Sequence, residues 1–319
     1  MATHYLGVDI GGTKSAVCLG DQNGMLLDKR SFPTNEPAGP EDCIKALLTS
    51  AHELLRGRNT VKAIGIACGS PLDPDLGIIQ SPANLKSWVD VPIVEIFSRE
   101  FSLPAYLDND ANAGALAEYC FGAGKGCRHM AFLTFGTGMG AGLILNGQIY
   151  RGANCYAGEI GHFRLAPEGP IGCRKAGSFE GFCSGGGIAQ LGAAERKSYR
   201  GATSLSAAPS AKEIGTAAEQ GDALAIRILE ISGDYLGRGL ALLIDCLNLE
   251  RVIIGSIFAR CEKFLRPAME RSLQAEALAQ PLAVCKIMPA GLGEQIGDLA
   301  ALSIAYSEYR KNQNVSHGG

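Results

Sequence analysis

The amino-acid sequence predicts an α/β protein of two domains. The chain has 319 residues, which is longer than one hydrophobic core usually accommodates. Two segments, 5–20 and 129–150, each combine a β-forming run, a glycine-rich turn and a second β-forming run. This repetition indicates an internal duplication. We therefore expect two α/β lobes with a cleft between them.

The remaining elements follow from hydrophobic spacing and from turn residues. After the first strand–turn–strand unit, the sequence predicts a loop at 31–42, a helix at 41–55, a strand at 62–68, a strand at 105–110 and a helix at 111–122. After the second unit it predicts a loop-dominated stretch at 152–187, a capping box at 210–213, a long helix at 222–248, a strand at 251–255 and a last helix at 294–311.

Composition excludes several classes of protein. A hydrophobic content of 46% with 19% charged residues indicates a well-buried globular chain. The net charge of −3 provides no general attraction to nucleic acid or anionic membranes, and no apolar run is long enough for a membrane span. Because the first strand begins near residue 5, we expect no targeting segment and no N-terminal DNA-binding module. The eleven scattered cysteines suggest reduced thiols in a cytoplasmic protein.

The first glycine turn lies in GVDIGGTK, where Asp9 ends a strand and Gly11, Gly12 and Thr13 follow. Glycines let the backbone approach an anion closely, and the amides and the Thr13 hydroxyl can donate hydrogen bonds to it. We expect Asp9 to face a magnesium ion. The spacing matches neither a P-loop nor a dinucleotide fingerprint. A hairpin turn with a capping Asp explains this segment equally well when it is taken alone.

The second glycine turn, TFGTGMG, offers a similar set of donors in Gly136, Thr137 and Gly138. Two such turns are expected to hold phosphate groups from opposite lobes. In LDNDAN, two acids and an Asn lie between a strand and a helix, and the helix N-terminus would keep Asp110 ionised and able to accept a proton. Helix capping by Asp110 or Asn112 is the alternative, but it does not explain the whole cluster.

A third polar group follows in GEIGHF and GSFEG. Glu159 and His162 are three residues apart, and Glu180 lies downstream. Such side chains suit the recognition of several sugar hydroxyls, and we expect the carboxylates to be buried. A lone His is more often structural, but His162 lies between glycines in a loop-rich stretch, which favours a functional role.

Taken in order, these segments resemble the ROK family of bacterial sugar kinases and sugar-responsive repressors. The resemblance covers nearly the whole chain and rests on GVDIGGTK, the SPANLKSW region, LDNDANAGALAEY, TFGTGMGAGLILNG, GEIGH, residues 180–185 and RVIIG. It implies a two-lobed, actin-like (ribonuclease H-like) ATPase fold with the active site in the cleft between the lobes. We expect a small lobe of residues 1–115, completed by the C-terminal helix 300–319, and a larger lobe of residues 116–299.

The resemblance also implies roles for individual residues. It assigns Asp110 as the catalytic base. It assigns the sugar to Gly69, Asn84, Asn109, Asp110, Glu159, His162 and Glu180. It assigns ATP to Asp9, Gly11, Gly12, Thr13, Lys14, Gly136, Thr137, Gly138 and Gly255, with Mg²⁺ held by Asp9 through water.

The sequence departs from the family pattern at two places. The family's structural zinc is held by a His and by three cysteines in CxCGxxGC, whereas IGCRKAGS retains only Cys173. Because zinc requires four ligands, we expect no zinc, although Cys155 and Cys183 leave open an unusual site. The second departure is GSIF after RVII, where the family has a glycine-rich turn near the adenosine, so the choice of nucleotide is less well defined.

These features predict an ATP-dependent kinase that transfers the γ-phosphoryl group to a hydroxyl, O6, of a hexose such as glucose. An N-acetylhexosamine kinase is the alternative, because the same side chains recognise both kinds of sugar. A catalytically weak sugar-binding regulator is a second alternative, although Asp9 and Asp110 are both present. The expected partners are a sugar and ATP, and we expect no nucleic acid and no membrane among them. We expect the protein to be a homodimer in the cytoplasm.

Overall fold

The computed structural model of the chain describes residues 3–58 and 60–317. Met1, Ala2, Asn59, Gly318 and Gly319, which fall within the predicted small lobe, lie outside the described residues. The chain divides into two units. The first is Met1–Lys125 together with Leu292–Gly319, and the second is Gly126–Gly291.

The two units contain fourteen strands and ten α-helices among the described residues. The strands are β1 (His4–Ile10), β2 (Lys14–Asp21), β3 (Leu26–Pro33), β4 (Val61–Cys68), β5 (Leu72–Asp73), β6 (Ile78–Ile79), β7 (Ala105–Asn109), β8 (Met130–Phe135), β9 (Met139–Leu145), β10 (Gln148–Tyr150), β11 (Ile171–Gly172), β12 (Lys175–Ala176), β13 (Arg251–Ile254) and β14 (Lys286–Pro289). The helices are α1 (Pro40–Leu55), α2 (Ile93–Phe101), α3 (Asp110–Phe121), α4 (Phe179–Phe182), α5 (Gly185–Ser198), α6 (Ala211–Glu219), α7 (Ala223–Leu247), α8 (Ile257–Glu276), α9 (Ala279–Val284) and α10 (Ile296–His317).

The first unit is built on a five-stranded sheet in the order β3-β2-β1-β4-β7. Strands β1, β2 and β3 are antiparallel neighbours, whereas β4 and β7 run parallel to β1. In this register Asp9 is paired with Ala67, and Cys68 is paired with Asn109. The carboxyl ends of β1, β4 and β7 therefore meet at one edge of the sheet.

Helices cover both faces of this sheet. Alternate residues of a strand point to opposite faces, so each strand contacts helices on both sides. Leu6, Val8 and Ile10 of β1 pack in a core with the apolar side of α1. On the other face, α10 packs on β1, β4 and α3. A Cβ atom at Gly65 would overlap the Ala301 carbonyl oxygen, so the backbone of α10 lies directly on the sheet.

A single buried carboxylate holds the two places where the chain leaves and re-enters the first unit. Glu118 of α3 is fully buried. Its Oε2 accepts a hydrogen bond from the Ala123 amide at 2.7 Å, and its Oε1 accepts one from the Leu292 amide at 3.0 Å. Because buried carboxylates are costly unless hydrogen-bonded, this arrangement fixes both connections on α3.

The second unit is built on another five-stranded sheet, in the order β10-β9-β8-β13-β14. Strands β8, β13 and β14 are parallel, and β9 and β10 form an antiparallel meander with β8. Its core includes Leu133, Phe135, Ile228, Leu240 and Phe258. None of the helices within residues 3–58 and 60–317 is long and apolar enough to cross a bilayer.

Most predicted elements are present. Both strand–turn–strand units are confirmed. The long helix predicted at 222–248 is also confirmed, because Asp222 is its N-cap and Asn248 its C-cap. The predicted loop at 31–42 is wrong at its start, because β3 extends to Pro33. Edge strand β3 is largely exposed, and its four central residues, 28–31, are all polar or charged, so it lacks the alternation that identifies a half-buried strand.

The close packing of α10 gives the first prediction. Gly65→Ala is expected to lower the midpoint of thermal unfolding by roughly 5 °C or more, because a Cβ at this position cannot be accommodated without moving α10. The matched control is Gly297→Ala in α10, where an added Cβ meets nothing within 4 Å. This control should leave the midpoint unchanged or raise it slightly. An unchanged midpoint for Gly65→Ala would contradict the described packing.

Candidate active site

Four of the residues singled out from the sequence lie at the carboxyl edge of the first sheet. Asp9 is near the end of β1, Gly69 directly follows β4, Asn109 ends β7 and Asp110 begins α3. Parallel strands place ligand-binding groups at their carboxyl ends. The structure therefore brings these four residues, which span a hundred positions of the sequence, to one edge.

The N-terminus of α3 is capped by Asn109. Its Oδ1 accepts a hydrogen bond from the Asn112 amide at 2.8 Å. The fully buried Asp108 supports this turn, because its Oδ1 accepts from the Asn109 amide at 2.9 Å and from Asn112 Nδ2 at 2.7 Å. The alternative interpretation, that Asp110 or Asn112 caps the helix, is therefore wrong. Asp108 is one of the two acids noted in LDNDAN, but the sequence analysis assigned it no role of its own.

Asp110 is therefore available for a role other than capping. Its Oδ1 accepts a hydrogen bond from the Ala111 amide at 2.9 Å, and water reaches its side chain. Nevertheless, burial among surrounding protein atoms raises the pKa of the Asp110 carboxyl, and the Ala111 hydrogen bond lowers it only in part. The sequence-based expectation considered only the helix N-terminus, which favours the ionised form. A raised pKa makes the carboxylate a stronger proton acceptor.

Asp9 lies in an acidic environment. Burial, and after it the nearby carboxylates of Asp298 and Asp110, raise the pKa of its carboxyl to about 6, against the opposing effect of Lys29 and Lys14. Asp298 belongs to the first turn of α10 and forms an ion pair with Lys29 at 2.5 Å. Neither residue was singled out from the sequence, because Asp298 is 289 positions from Asp9 and has no motif around it.

The first glycine turn is fixed by its own backbone and by Thr34, the residue that follows β3. The Gly11 amide donates to the Lys14 carbonyl at 3.2 Å, and Thr34 Oγ1 donates to the Gly11 carbonyl at 2.5 Å. A Cβ at Gly12 would lie 2.5 Å from the Asn84 carbonyl oxygen, so Asn84 lies against this turn. Thr13 and Lys14 are exposed on the turn.

The second glycine turn lies at the carboxyl ends of β8 and β13 in the second unit. The Gly136 amide donates to the Gly138 carbonyl at 3.2 Å, and the Gly255 amide donates to the Leu133 carbonyl at 3.0 Å. Thr137 is exposed between the two glycines. The Gly185 amide, at the start of α5, donates to the Gly136 carbonyl at 2.8 Å. The contact with Gly185 was not foreseen, and the glycine triplet at 185–187 is its only sequence signal.

The three polar residues of the long segment also belong to the second unit. Glu159 Oε2 and His162 Nε2 are 4.0 Å apart, with 51% and 53% of their side chains exposed. Glu180 Oε2 accepts from the Met139 amide at 3.1 Å, and Glu180 Oε1 accepts from the Cys173 amide at 2.7 Å. The expectation of buried carboxylates is therefore wrong for Glu159. Glu180 is partly buried and satisfied by the backbone.

The hairpin of β11 and β12 does not fit a zinc site. Ser178, at one of the cysteine positions of the family pattern, donates to the Gly172 carbonyl at 2.9 Å and accepts from the Gly181 amide at 3.0 Å. Ile171 is exposed and offers no ligand. Among the described residues, no group of three or more His, Cys, Asp or Glu side chains is arranged to hold a metal ion.

Comparison with known proteins identifies the family. The sequence model of the ROK family matches residues 5–308. The chain belongs to the ROK family. The glucokinase of Halalkalibacterium halodurans is 34% identical over 304 residues, and the match covers 92% of this chain and 92% of that protein. The family predicted from the motifs is thus confirmed.

Solved ROK structures share the fold. The ROK hexokinase from Thermus thermophilus matches with a TM-score of 0.81 and 30% identity, covering 97% of this chain and all of the hexokinase chain. The ROK family glucokinase from Streptomyces griseus, solved in complex with glucose and AMPPNP, matches with a TM-score of 0.75 and 28% identity, covering 96% of this chain and all of that chain. The predicted two-lobed, actin-like α/β fold class is confirmed.

Regulators are also among the ROK relatives. The N-acetylglucosamine repressor of Escherichia coli is 28% identical over 283 residues, and the match covers 86% of this chain and 68% of the repressor. Family membership alone therefore leaves a choice between a catalyst and a regulator.

The pKa of Asp9 gives the second prediction. Because folding raises this pKa to about 6, ionisation of Asp9 costs stability, and the cost grows as the pH rises from the ordinary Asp value to about 6. Asp9→Asn removes the cost, which is about 1 kcal/mol after solvent screening. The melting temperature should rise by about 2–4 °C at pH 8 and stay unchanged at pH 4.

The control variant, Asp222→Asn, is expected to change the melting temperature in the opposite direction. Burial raises the pKa of Asp222, but hydrogen bonds from the Ser204 and Ala225 amides outweigh it and lower the pKa to about 2. Asp222→Asn should therefore reduce the melting temperature at pH 8. A loss of stability for Asp9→Asn at pH 8 would contradict the described acidic environment.

The third prediction concerns zinc. Elemental analysis of the purified protein should find less than about 0.1 zinc per chain, because one thiol and one imidazole cannot complete a tetrahedral site. The double variant Ile171→Cys/Ser178→Cys serves as a positive control, because it restores the thiols that the family pattern contains. Close to one zinc per unmodified chain would show that Cys155 or Cys183 completes a different site.

Proposed function

We propose that this protein is an ATP-dependent hexose kinase that transfers the γ-phosphoryl group of ATP to O6 of glucose. The observation that carries the proposal is the place of Asp110. Asp110 is the first residue of α3 and lies at the same sheet edge as Asp9. Burial raises the pKa of its carboxyl. Similarity over 92% of the chain to a glucokinase supports glucose as the acceptor.

In the proposed reaction, Asp110 accepts the proton of the sugar hydroxyl as that oxygen attacks the γ-phosphorus in line with the leaving oxygen. Phosphoryl transfer depends mainly on positioning and charge stabilisation. Asp108 and Asn109 fix the first turn of α3, so Asp110 is held on a rigid element. Because Asn109 Oδ1 is used in capping, Asn109 Nδ2 is the group that we assign to the sugar.

The proposed ATP-binding groups are the two glycine turns. In the first turn, which Gly11 begins, the amides of Gly12 and Thr13 and the Lys14 side chain would donate to phosphate oxygens. In the second turn, which Gly136 begins, the amides of Thr137 and Gly138 would do so, and Gly255 would lie near the nucleoside. The carboxylates of Asp9 and Asp298 fit Mg²⁺, which prefers oxygen ligands and retains several waters. When bound, Mg²⁺ neutralises phosphate charge. Lys29 holds Asp298 in place.

The proposed sugar-binding groups in the second unit are Glu159, His162 and Glu180. The exposed side chains of Glu159 and His162 are accessible to a ligand, and a carboxylate paired with an imidazole can accept from and donate to neighbouring hydroxyls. In the first unit we assign Gly69 and Asn84 to the same ligand. The proposal also includes a homodimer and a cytoplasmic location. The location fits cysteines that form no disulfide among the described residues.

An N-acetylhexosamine kinase is the second candidate. Similarity to an N-acetylglucosamine repressor favours it, because a related sugar pocket can accept an N-acetyl group. A panel of glucose, mannose, N-acetylglucosamine and N-acetylmannosamine with ATP and Mg²⁺, followed by ADP release, separates the two. Glucose is expected to give the highest kcat/KM. ADP release that does not depend on any sugar would contradict both candidates.

The role of Asp110 gives the fourth prediction. Asp110→Asn should lower kcat by roughly two to four orders of magnitude, because the amide cannot accept the proton. Sugar binding, measured by calorimetry, should be retained, because the side chain keeps its size and its hydrogen-bonding oxygen. Asp42→Asn, an exposed substitution in the first turn of α1, is the matched control and should leave kcat unchanged. Near-normal turnover of Asp110→Asn would rule out the assigned role.

A further inference from the structure

Glu180 makes a contact that a sugar ligand alone does not require. One carboxylate oxygen accepts from the Met139 amide, at the end of the second glycine turn, and the other accepts from the Cys173 amide in the β11–β12 hairpin. Charge-assisted hydrogen bonds of this kind are about twice as strong as neutral ones. A single side chain thus joins the glycine turn to the hairpin.

The glycine turn approaches this carboxylate closely. A Cβ at Gly138 would lie 2.8 Å from Glu180 Oε2, so a side chain at residue 138 would have to displace this carboxylate. A Cβ at Gly161, which precedes His162, would lie 3.3 Å from Glu180 Cβ. The segment that carries Glu159 and His162 is therefore packed on the same side chain.

The backbone that carries Glu180 is itself fixed. The Phe179 amide donates to the Phe163 carbonyl at 2.7 Å, and the Phe179 ring is fully buried against Gly239 of α7, where an added Cβ would overlap the ring. Ser178 ties the start of α4 to Gly172 and Gly181. Because this backbone is fixed, we expect that a displacement of the glycine turn also displaces the residues that contact the Glu180 carboxylate on its other side.

We infer that Glu180 is a positioning residue that couples the second glycine turn to the sugar-binding segment of the second unit. This inference rests on the proposed function, in which the turn binds ATP phosphate and the segment binds sugar. Each carboxylate oxygen has two lone pairs. A sugar hydroxyl can therefore donate to Glu180 while the hydrogen bonds from the Met139 and Cys173 amides persist. Glu180 then links ligand binding at the two places, and by linkage the effect is reciprocal.

The test compares Glu180→Gln with Glu159→Gln. In Glu180→Gln, an NH2 group replaces one of the two carboxylate oxygens. This group faces either the Met139 or the Cys173 backbone amide and cannot accept its hydrogen bond, so one of the two hydrogen bonds is lost. ATP binding in the absence of sugar, measured by calorimetry, should weaken by about tenfold, the equivalent of one charged hydrogen bond. Glu159→Gln is the matched control, because it weakens sugar binding and leaves ATP affinity within about twofold.

The reciprocal variant is Gly138→Ala. Its Cβ would displace the Glu180 carboxylate, so sugar affinity should fall by about tenfold even though residue 138 lies in the turn assigned to ATP. Normal ATP affinity in Glu180→Gln together with normal sugar affinity in Gly138→Ala would overturn the inference and would leave Glu180 as a sugar ligand only.

A measurement that needs no ligand separates this inference from the proposed function. Amide hydrogen exchange should be faster in the peptides containing Met139 and Cys173 in Glu180→Gln, and unchanged in Glu159→Gln. Faster exchange in a protein without kinase activity would refute the proposed function while supporting the positioning role. Unchanged exchange at both peptides would refute the positioning role whether or not the protein is a kinase.

Discussion

The backbone of α10 lies directly on the first sheet, because the sheet has glycine where a side chain would intervene. At Gly65 even a methyl group would overlap the Ala301 carbonyl oxygen, and at Gly7 a Cβ would lie 3.0 Å from the Leu302 amide nitrogen. This close packing brings the end of the chain onto its first strands. It places Asp298 near Asp9, and it holds α10 against α3, whose first residue is Asp110. The geometry of the first half of the candidate site depends on this contact.

Buried and partly buried carboxylates have a common role in both units. Asp108, Glu118 and Glu180 each accept hydrogen bonds from backbone amides, which offsets the cost of removing a charge from water. Each carboxylate fixes a turn or a connection, and those of Asp108 and Glu180 lie next to residues that we assign to ligands. Asp9 and Asp110 differ, because burial raises their pKa values. Such perturbed groups are typical of functional sites.

The sequence allowed much of the fold to be predicted, and the reasons are local. The turn residues and β-forming runs of both glycine units, and the capping residues Asp222 and Asn248, act over a few positions. Strand β3 was missed because this exposed edge strand lacks hydrophobic alternation. The ROK family was recognised because several weak motifs occur in the right order, although each motif alone has a simpler structural explanation.

The parts of the site that were not predicted depend on distant contacts. No local pattern announces that Lys29 and Asp298 form an ion pair or that Met139 donates to Glu180, because the partners are far apart in sequence. The alternative of helix capping named the wrong residues because Asn and Asp are equally good caps, and the bond from the Asn112 amide to Asn109 Oδ1 is visible only in the folded chain. The exposure of Glu159 also depends on the path of a long loop, which hydrophobic spacing does not determine.

The central claim is that this chain itself transfers the γ-phosphoryl group of ATP to a hexose. The most direct test is one reaction of the purified protein with glucose, Mg²⁺ and ATP labelled in its γ-phosphoryl group, analysed by phosphorus NMR. The account predicts that the label appears in a phosphomonoester coupled to the C6 methylene protons of glucose, in equal amount to the ADP formed. Label found only in unreacted ATP or in inorganic phosphate would contradict it.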